Sequence, residues 1–169
     1  MPKPPPSHYP DIGDIGEDLV AEWLKSQGWQ ILHRRFSCRW GEIDIIAEYH
    51  DQTSAHVTQQ HQNQPDSILA FVEVKTRSAG NWDAGGRNSI TAKKQVKLCQ
   101  TAQMFLVQYP EKANYCCRFD VALVFSQPSL KKLNKNKNTS SSLAQISIGN
   151  YDLTLLEYIP AAFDAPFDL

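Results

Sequence analysis

Apolar and polar positions follow different rhythms along this chain, and each rhythm predicts a different element. Across residues 13–27, Ile15, Leu19 and Trp23 recur every four residues, with Val20 and Leu24 beside them. That spacing lays one apolar stripe along a helix, and Gly28 stands where a helix-ending glycine belongs. On a helical wheel Glu17 falls at the margin of the stripe, next to Leu24, while Asp18, Glu22 and Lys25 face water. "WQILHRRFSC" and "WGEIDIIAEY" then read as two strands. Period-two alternation puts Ile43, Ile45 and Ala47 on one face of the second, with Asp44 and Ile46 on the other. In "ILAFVEVKTR", residues 68–77, Phe71, Glu73 and Lys75 share a face, and Val72 and Val74 share the opposite one.

"ITAKKQVKLCQTAQMFLVQY" predicts a long helix with an inner stripe of Ala92, Val96, Cys99, Gln103 and Leu106. "YCCRFDVALVF" predicts a strand with apolar residues on both faces. "LAQISIGNYDLTLLEYI" predicts a hairpin turning at Gly149–Asn150. The order is helix, three strands, helix, strand, hairpin, which implies a mixed α/β sheet flanked by helices. The helix after the third strand suits a right-handed crossover between parallel strands. One domain accounts for the chain: a Pro-rich tail at 1–10, a core at 11–127, a polar linker at 128–142, and a C-terminal hairpin and tail at 143–169 that pack on the core. Residues 50–66 are polar and aperiodic and read as a loop inserted into the core.

Composition narrows the class. The 169 residues are 41% hydrophobic and 21% charged, as expected of a soluble globular domain. No apolar run approaches the ~18 residues that a membrane span needs, and "MPKPPPSHYP" has no apolar signal region. A cytoplasmic protein is expected. Cys38, Cys99, Cys116 and Cys117 lack Cys-x-x-Cys spacing and two are adjacent, so they read as reduced thiols, mostly in the core, and not as a zinc set. Charge is uneven. Residues 25–137 carry 16 Lys and Arg against nine Asp and Glu, a net of +7, whereas 1–24 and 138–169 each carry −4. A basic middle with acidic ends suits a phosphate-rich partner.

Glu73 and Lys75 interrupt an apolar strand, and a buried charge without a partner is costly. They are either a same-face ion pair or a metal-binding carboxylate beside a catalytic lysine. Asp44, among isoleucines, poses the same choice: a turn or a partner arginine from Arg34, Arg35 or Arg39, or coordination of a hard cation. Mg²⁺, with Mn²⁺ as a substitute, takes one or two carboxylates plus other oxygens. Asp44 and Glu73 can supply the carboxylates and Val74 a backbone carbonyl. Glu17 can add another carboxylate or hold a metal-bound water. Lys75 is then placed to touch the attacking water or the charge developing on phosphorus.

These pieces resemble a known pattern. "GEDLVAEWL", "GEIDIIA", "FVEVKTR", "ITAKKQ", "CRFDVALV" and "IPAAFD", in that order, are similar to the bacterial YraN family, itself similar to archaeal Holliday-junction resolvases and other PD-(D/E)xK restriction-endonuclease-like nucleases. The resemblance spans nearly the whole chain. It implies a restriction-endonuclease-like mixed sheet, with Glu17, Asp44, Glu73 and Lys75 as active-site positions and Gln95 as a further candidate. It also implies Mg²⁺-dependent hydrolysis of DNA phosphodiesters, in branched or processed DNA, and a homodimer, since symmetric junction cutting needs two sites. Arg77, Lys93, Lys94 and Lys97 are candidates for phosphate contact. Trp40 and Trp82 either stack on bases or pack locally. Asp120 is expected to pair with Arg118 or cap a loop. His50, His56 and His61 match no zinc spacing. Two rivals remain: a catalytically idle nuclease-fold protein that binds nucleic acid, and a protein-interaction scaffold.

Overall fold

The computed structural model describes residues 11–50, 67–78, 90–129 and 142–165. Helix α1, Ile12–Ser26, begins at Asp11, whose carboxylate accepts the Gly13 N–H at 2.9 Å. It ends just before Gly28, which adopts the left-handed φ of +88° that a glycine enters without strain. Strands β1 (Gln30–Cys38), β2 (Gly41–His50) and β3 (Ser67–Ser78) follow, then helix α2 (Ala92–Gln108). Strand β4 (Cys116–Pro128) and the hairpin β5 (Ala144–Ile148) and β6 (Tyr151–Phe163) complete one six-stranded sheet, ordered β1-β2-β3-β4-β6-β5.

The sheet is mixed because α2 carries the chain from β3 to β4, which pair in parallel, while the other neighbours are antiparallel. The expected α/β architecture is therefore observed. Alternating residues of the central strands feed two cores. Ile45, Ala47, Ala70, Val72, Ala122 and Val124 meet Leu19, Val20 and Leu24 of α1, with Leu153 and Leu155 of the C-terminal hairpin. Ile46, Leu69, Phe71 and Phe119 meet Leu98, Ala102 and Phe105 of α2. Glu17 lies at the margin of the α1 stripe, as the wheel placed it, with its side chain 12% exposed.

Three expectations are corrected. Helix α2 buries Leu98, Cys99, Thr101, Ala102 and Phe105, whereas Ala92 and Val96 are exposed and Gln103 and Leu106 only half-buried. The run "MFLV" offers several phases, and Phe105 decides among them by seating its ring against Phe36 and Phe71. The four thiols are free, yet only Cys99 is buried; Cys116, at the start of β4, is exposed. Strand β4 also runs to Pro128, the first residue of the segment expected as linker. Residues 51–66, with His56 and His61, lie outside the described residues, as do Trp82 and most of 128–142.

Candidate active site

Two opposed residues, Arg35 on β1 and Asp44 on β2, shape the site. Arg35 has φ +52°, a left-handed conformation that a non-glycine residue seldom adopts. Its neighbours in the ladder stay in register, Arg34 opposite Ile45 and Phe36 opposite Ile43. What changes is side-chain phase. His33 and Phe36 both lie against Phe105, although strict alternation would separate them. Arg34 and Arg35, adjacent in sequence, both reach α1. In β2 the same inversion puts Ile43 in the α2 core with Ile46, while Ile45 joins the α1 core. The expected grouping of Ile43 with Ile45 and Ala47 is thus overturned, because alternation restarts at Asp44.

The inversion sends the Asp44 carboxylate toward β3. Pairing between β2 and β3 ends at Ile45 opposite Val72. Beyond it, Asp44 Oδ2 accepts the Val74 N–H at 2.7 Å, in place of a backbone partner. The N–H and C=O of one strand residue point toward the same neighbour, so the Val74 carbonyl faces this gap too. None of Arg34, Arg35 or Arg39 forms an ion pair with Asp44. Arg34 and Arg35 instead pair with α1, and Arg39 lies over the Trp40 ring, 4.7 Å from its centroid.

Glu73 shares the α2 side of β3 with Phe71 and is 5% exposed. Its Oε1 receives Lys75 Nζ at 2.8 Å and Lys94 Nζ at 3.2 Å. Its buried Oε2 has no hydrogen-bond partner among the described residues. The Asp44 carboxyl is pushed up to about 7, first by burial, then by the charge of Glu73 and more weakly by that of Glu17; the Val74 N–H and Lys94 oppose the rise. Desolvation and like charge both favour the protonated acid. An oxygen without a donor and a carboxyl driven toward neutrality both signal missing positive charge. Asp44, Glu73 and the Val74 carbonyl therefore suit a hard cation.

Glu17 approaches from α1, which lies close to β3 because position 16 has no side chain. A Cβ on Gly16 would meet Thr76 Oγ1 at 2.2 Å. Glu17 itself is held by Arg35, at 2.8 Å and 3.3 Å, with Arg34 at 3.6 Å. Among the described residues no group of three or more His, Cys, Asp or Glu side chains converges closely enough to hold a metal. The centre therefore consists of two carboxylates and backbone, with Glu17 set apart.

The structure sorts the remaining candidates. Lys94 joins the centre, whereas Lys93 and Lys97 are exposed on α2. Gln95 turns back to the Ile90 carbonyl at 3.2 Å. Arg77 donates to the Thr76 carbonyl and lines a groove with Asp11, Ile12, Gly13, Ser78 and Ser126. Asp120 pairs with Arg118 as expected, and also accepts from Tyr158 Oη at 2.7 Å and the Ala161 N–H at 2.9 Å. His50 is hydrogen-bonded to Ser67. Sequence reasoning missed Lys94 at Glu73 and Arg35 at Glu17. A lysine in the first turn of the helix after the Glu-x-Lys strand is a signal for the former; no residue type announces the latter.

A mixed sheet with helices on both faces is consistent with a restriction-endonuclease-like α/β fold. Residues 16–124 match the Uncharacterised protein family UPF0102, and the chain belongs to that family, the YraN family of the sequence resemblance. It is similar to UPF0102 proteins of Trichormus variabilis (54% identity over 94% of this chain and 97% of the relative) and Nostoc sp. (54% over 91% and 94%). A UPF0102 protein of Synechocystis sp. is 41% identical over 90% of this chain and 97% of its own length. No helix among the described residues is long and apolar enough to cross a membrane.

Proposed function

We propose that this protein is a Mg²⁺-dependent endonuclease that hydrolyses DNA phosphodiesters, with branched or processed DNA as the preferred class. The observation that supports this most is the charge deficit between β2 and β3. Asp44 is raised toward neutrality and Glu73 Oε2 lacks a donor among the described residues, while lysines sit on the other Glu73 oxygen. A purely structural pair would be expected to satisfy both oxygens.

Asp44, Glu73 and the Val74 carbonyl would hold the ion, which when bound supplies Lewis-acid activation of water and neutralises phosphate charge. Lys75, partly buried, presents an ammonium at the same end of β3, where it can stabilise charge on the phosphoryl oxygens. Lys94 holds Glu73 from α2. Arg77, Lys93 and Lys97 offer sequence-independent phosphate contacts around the centre. Two copies would act on a symmetric junction.

Supercoiled plasmid and a four-way junction, incubated with Mg²⁺ or Mn²⁺ and with EDTA as control, test the proposal. Metal-dependent nicking or junction resolution, abolished by Glu73→Gln, is the expected result. Salt-sensitive binding with no cleavage under any metal would leave the idle, nucleic-acid-binding reading instead.

A further inference from the structure

Glu17 offers two roles at such a centre, metal ligand or outer carboxylate, and the geometry around Arg35 bears on which it plays. Arg35 Nε and a terminal nitrogen both engage the Glu17 carboxylate, at 2.8 Å and 3.3 Å. The same guanidinium reaches Asp14, one turn earlier on α1. Arg34 adds a contact with Glu17 at 3.6 Å and binds Asp18 at 3.0 Å. Three carboxylates spaced along one helix face are thus gripped by two consecutive arginines. That grip requires the left-handed backbone at Arg35, since regular alternation would send one of the two to the α2 side. Backbone strain of this kind persists where surrounding structure imposes it.

We propose that Arg35 is a positioning residue that holds Glu17 outside the metal's coordination shell, so that the centre takes a cation on Asp44, Glu73 and backbone alone. This rests on the nuclease reading of the same site. Two observations carry it. The Glu17 carboxylate has both oxygens committed to arginine. No third carboxylate converges on the centre among the described residues. Arginine suits the task because its planar fork binds a carboxylate bidentately and stays charged. Glu17, so held, keeps a negative charge near the centre for orienting a water, and is withheld from the ion itself.

Calorimetric titration of the full chain with Mn²⁺ tests the inference without reference to cleavage. Arg35→Asn suits the left-handed backbone and cannot span to Glu17. It should tighten Mn²⁺ binding by about tenfold, because adding a carboxylate ligand raises cation affinity. In a Glu17→Gln background the same substitution should change affinity by less than about twofold, since the gain belongs to the pair. Arg34→Asn, which removes an equal charge but leaves the fork, should have the smaller effect. Arg35→Gly, free of backbone strain, repeats the measurement should the Asn variant fold poorly.

An unchanged affinity in both Arg35 variants overturns the inference and leaves the nuclease reading standing. So does a gain that persists undiminished with Glu17→Gln, which would be a general charge effect. Absence of Mn²⁺ binding by the parent chain overturns both.

Discussion

Adjacent strands of this sheet bury carboxylates in opposite conditions. Asp120, on β4, is 1% exposed, and every contact it needs is supplied: Arg118 beside it, the Tyr158 hydroxyl and the Ala161 N–H. Glu48, near the far end of β2, is similarly matched by Lys112 and His50. Asp44 and Glu73 are not. They share the strand ends with two lysines, yet one carboxyl is pushed up to about 7 and one oxygen has no donor among the described residues. Burial alone therefore does not tell these carboxylates apart. Incomplete compensation does, and under the proposed function it marks the pair that would hold the cation.

The contrast can be broken at its strongest point first. Asp120→Ala strands Arg118 and the Tyr158 hydroxyl, so it should cost about 3–5 kcal/mol in chemical denaturation. Cleavage per folded molecule should hardly change. A large loss of cleavage with stability intact would place Asp120 in the working site and erase the distinction.

Next comes Lys75→Met, which keeps the apolar stem and removes the charge. Under the nuclease reading, cleavage should fall on the order of 10²–10³-fold, as for loss of one oriented charge at a developing oxyanion. Mn²⁺ binding should persist or tighten, because the carboxylates lose a competing cation. Cleavage at the parent rate would make Lys75 a structural partner of Glu73.

A third test uses pH. The folded Asp44 carboxyl, at about 7, lies above its ordinary value of 3.8, so the folded state binds that proton more tightly than the unfolded state. This contribution favours folding below about pH 4 and is lost as pH rises toward 7. Asp44→Asn keeps an acceptor for the Val74 N–H and removes the charge. In metal-free buffer at pH 8 it should stabilise the fold by about 2–4 kcal/mol, with the gain vanishing near pH 4. Thermal melts across that range check it; a destabilised variant at pH 8 would mean that Asp44 is well compensated after all.

The smallest effect concerns how α1 is seated. Gly16→Ala drives a methyl into Thr76 and should cost about 1–3 kcal/mol. Thr76→Ala in the same chain should recover much of the loss. No loss in the single variant would show that α1 does not set the approach of Glu17.

Much of this was legible in the sequence because it follows from period and order. The α1 stripe, the turn at Gly149–Asn150 and the parallel β3–β4 pair all announce themselves in residue spacing. Glu73 and Lys75 were visible as charges out of place in an apolar strand. The direction of Asp44 was not, because alternation assumes a regular strand and Arg35 interrupts one without a glycine to signal it. The α2 stripe departs from its spacing for another reason. A helix with apolar residues on several sides takes its phase from the surface it meets, here a cluster of rings around Phe105. Lys94 reads like its neighbours Lys93 and Lys97, since a run of like charges does not say which member turns inward.

The inversion at Arg35 and Asp44 behaves like a dislocation in a crystal: the lattice continues across it, but inside and outside exchange places. The tip of the β1–β2 hairpin, from Phe36 to Ile43, is consequently a separate frame that must be read in its own parity. Removing the dislocation would turn Phe36 out of the α2 core and Arg35 in. Grafting this hairpin onto another sheet by simple alternation would make that error, and the graft would lose a buried ring and gain a buried guanidinium at one stroke.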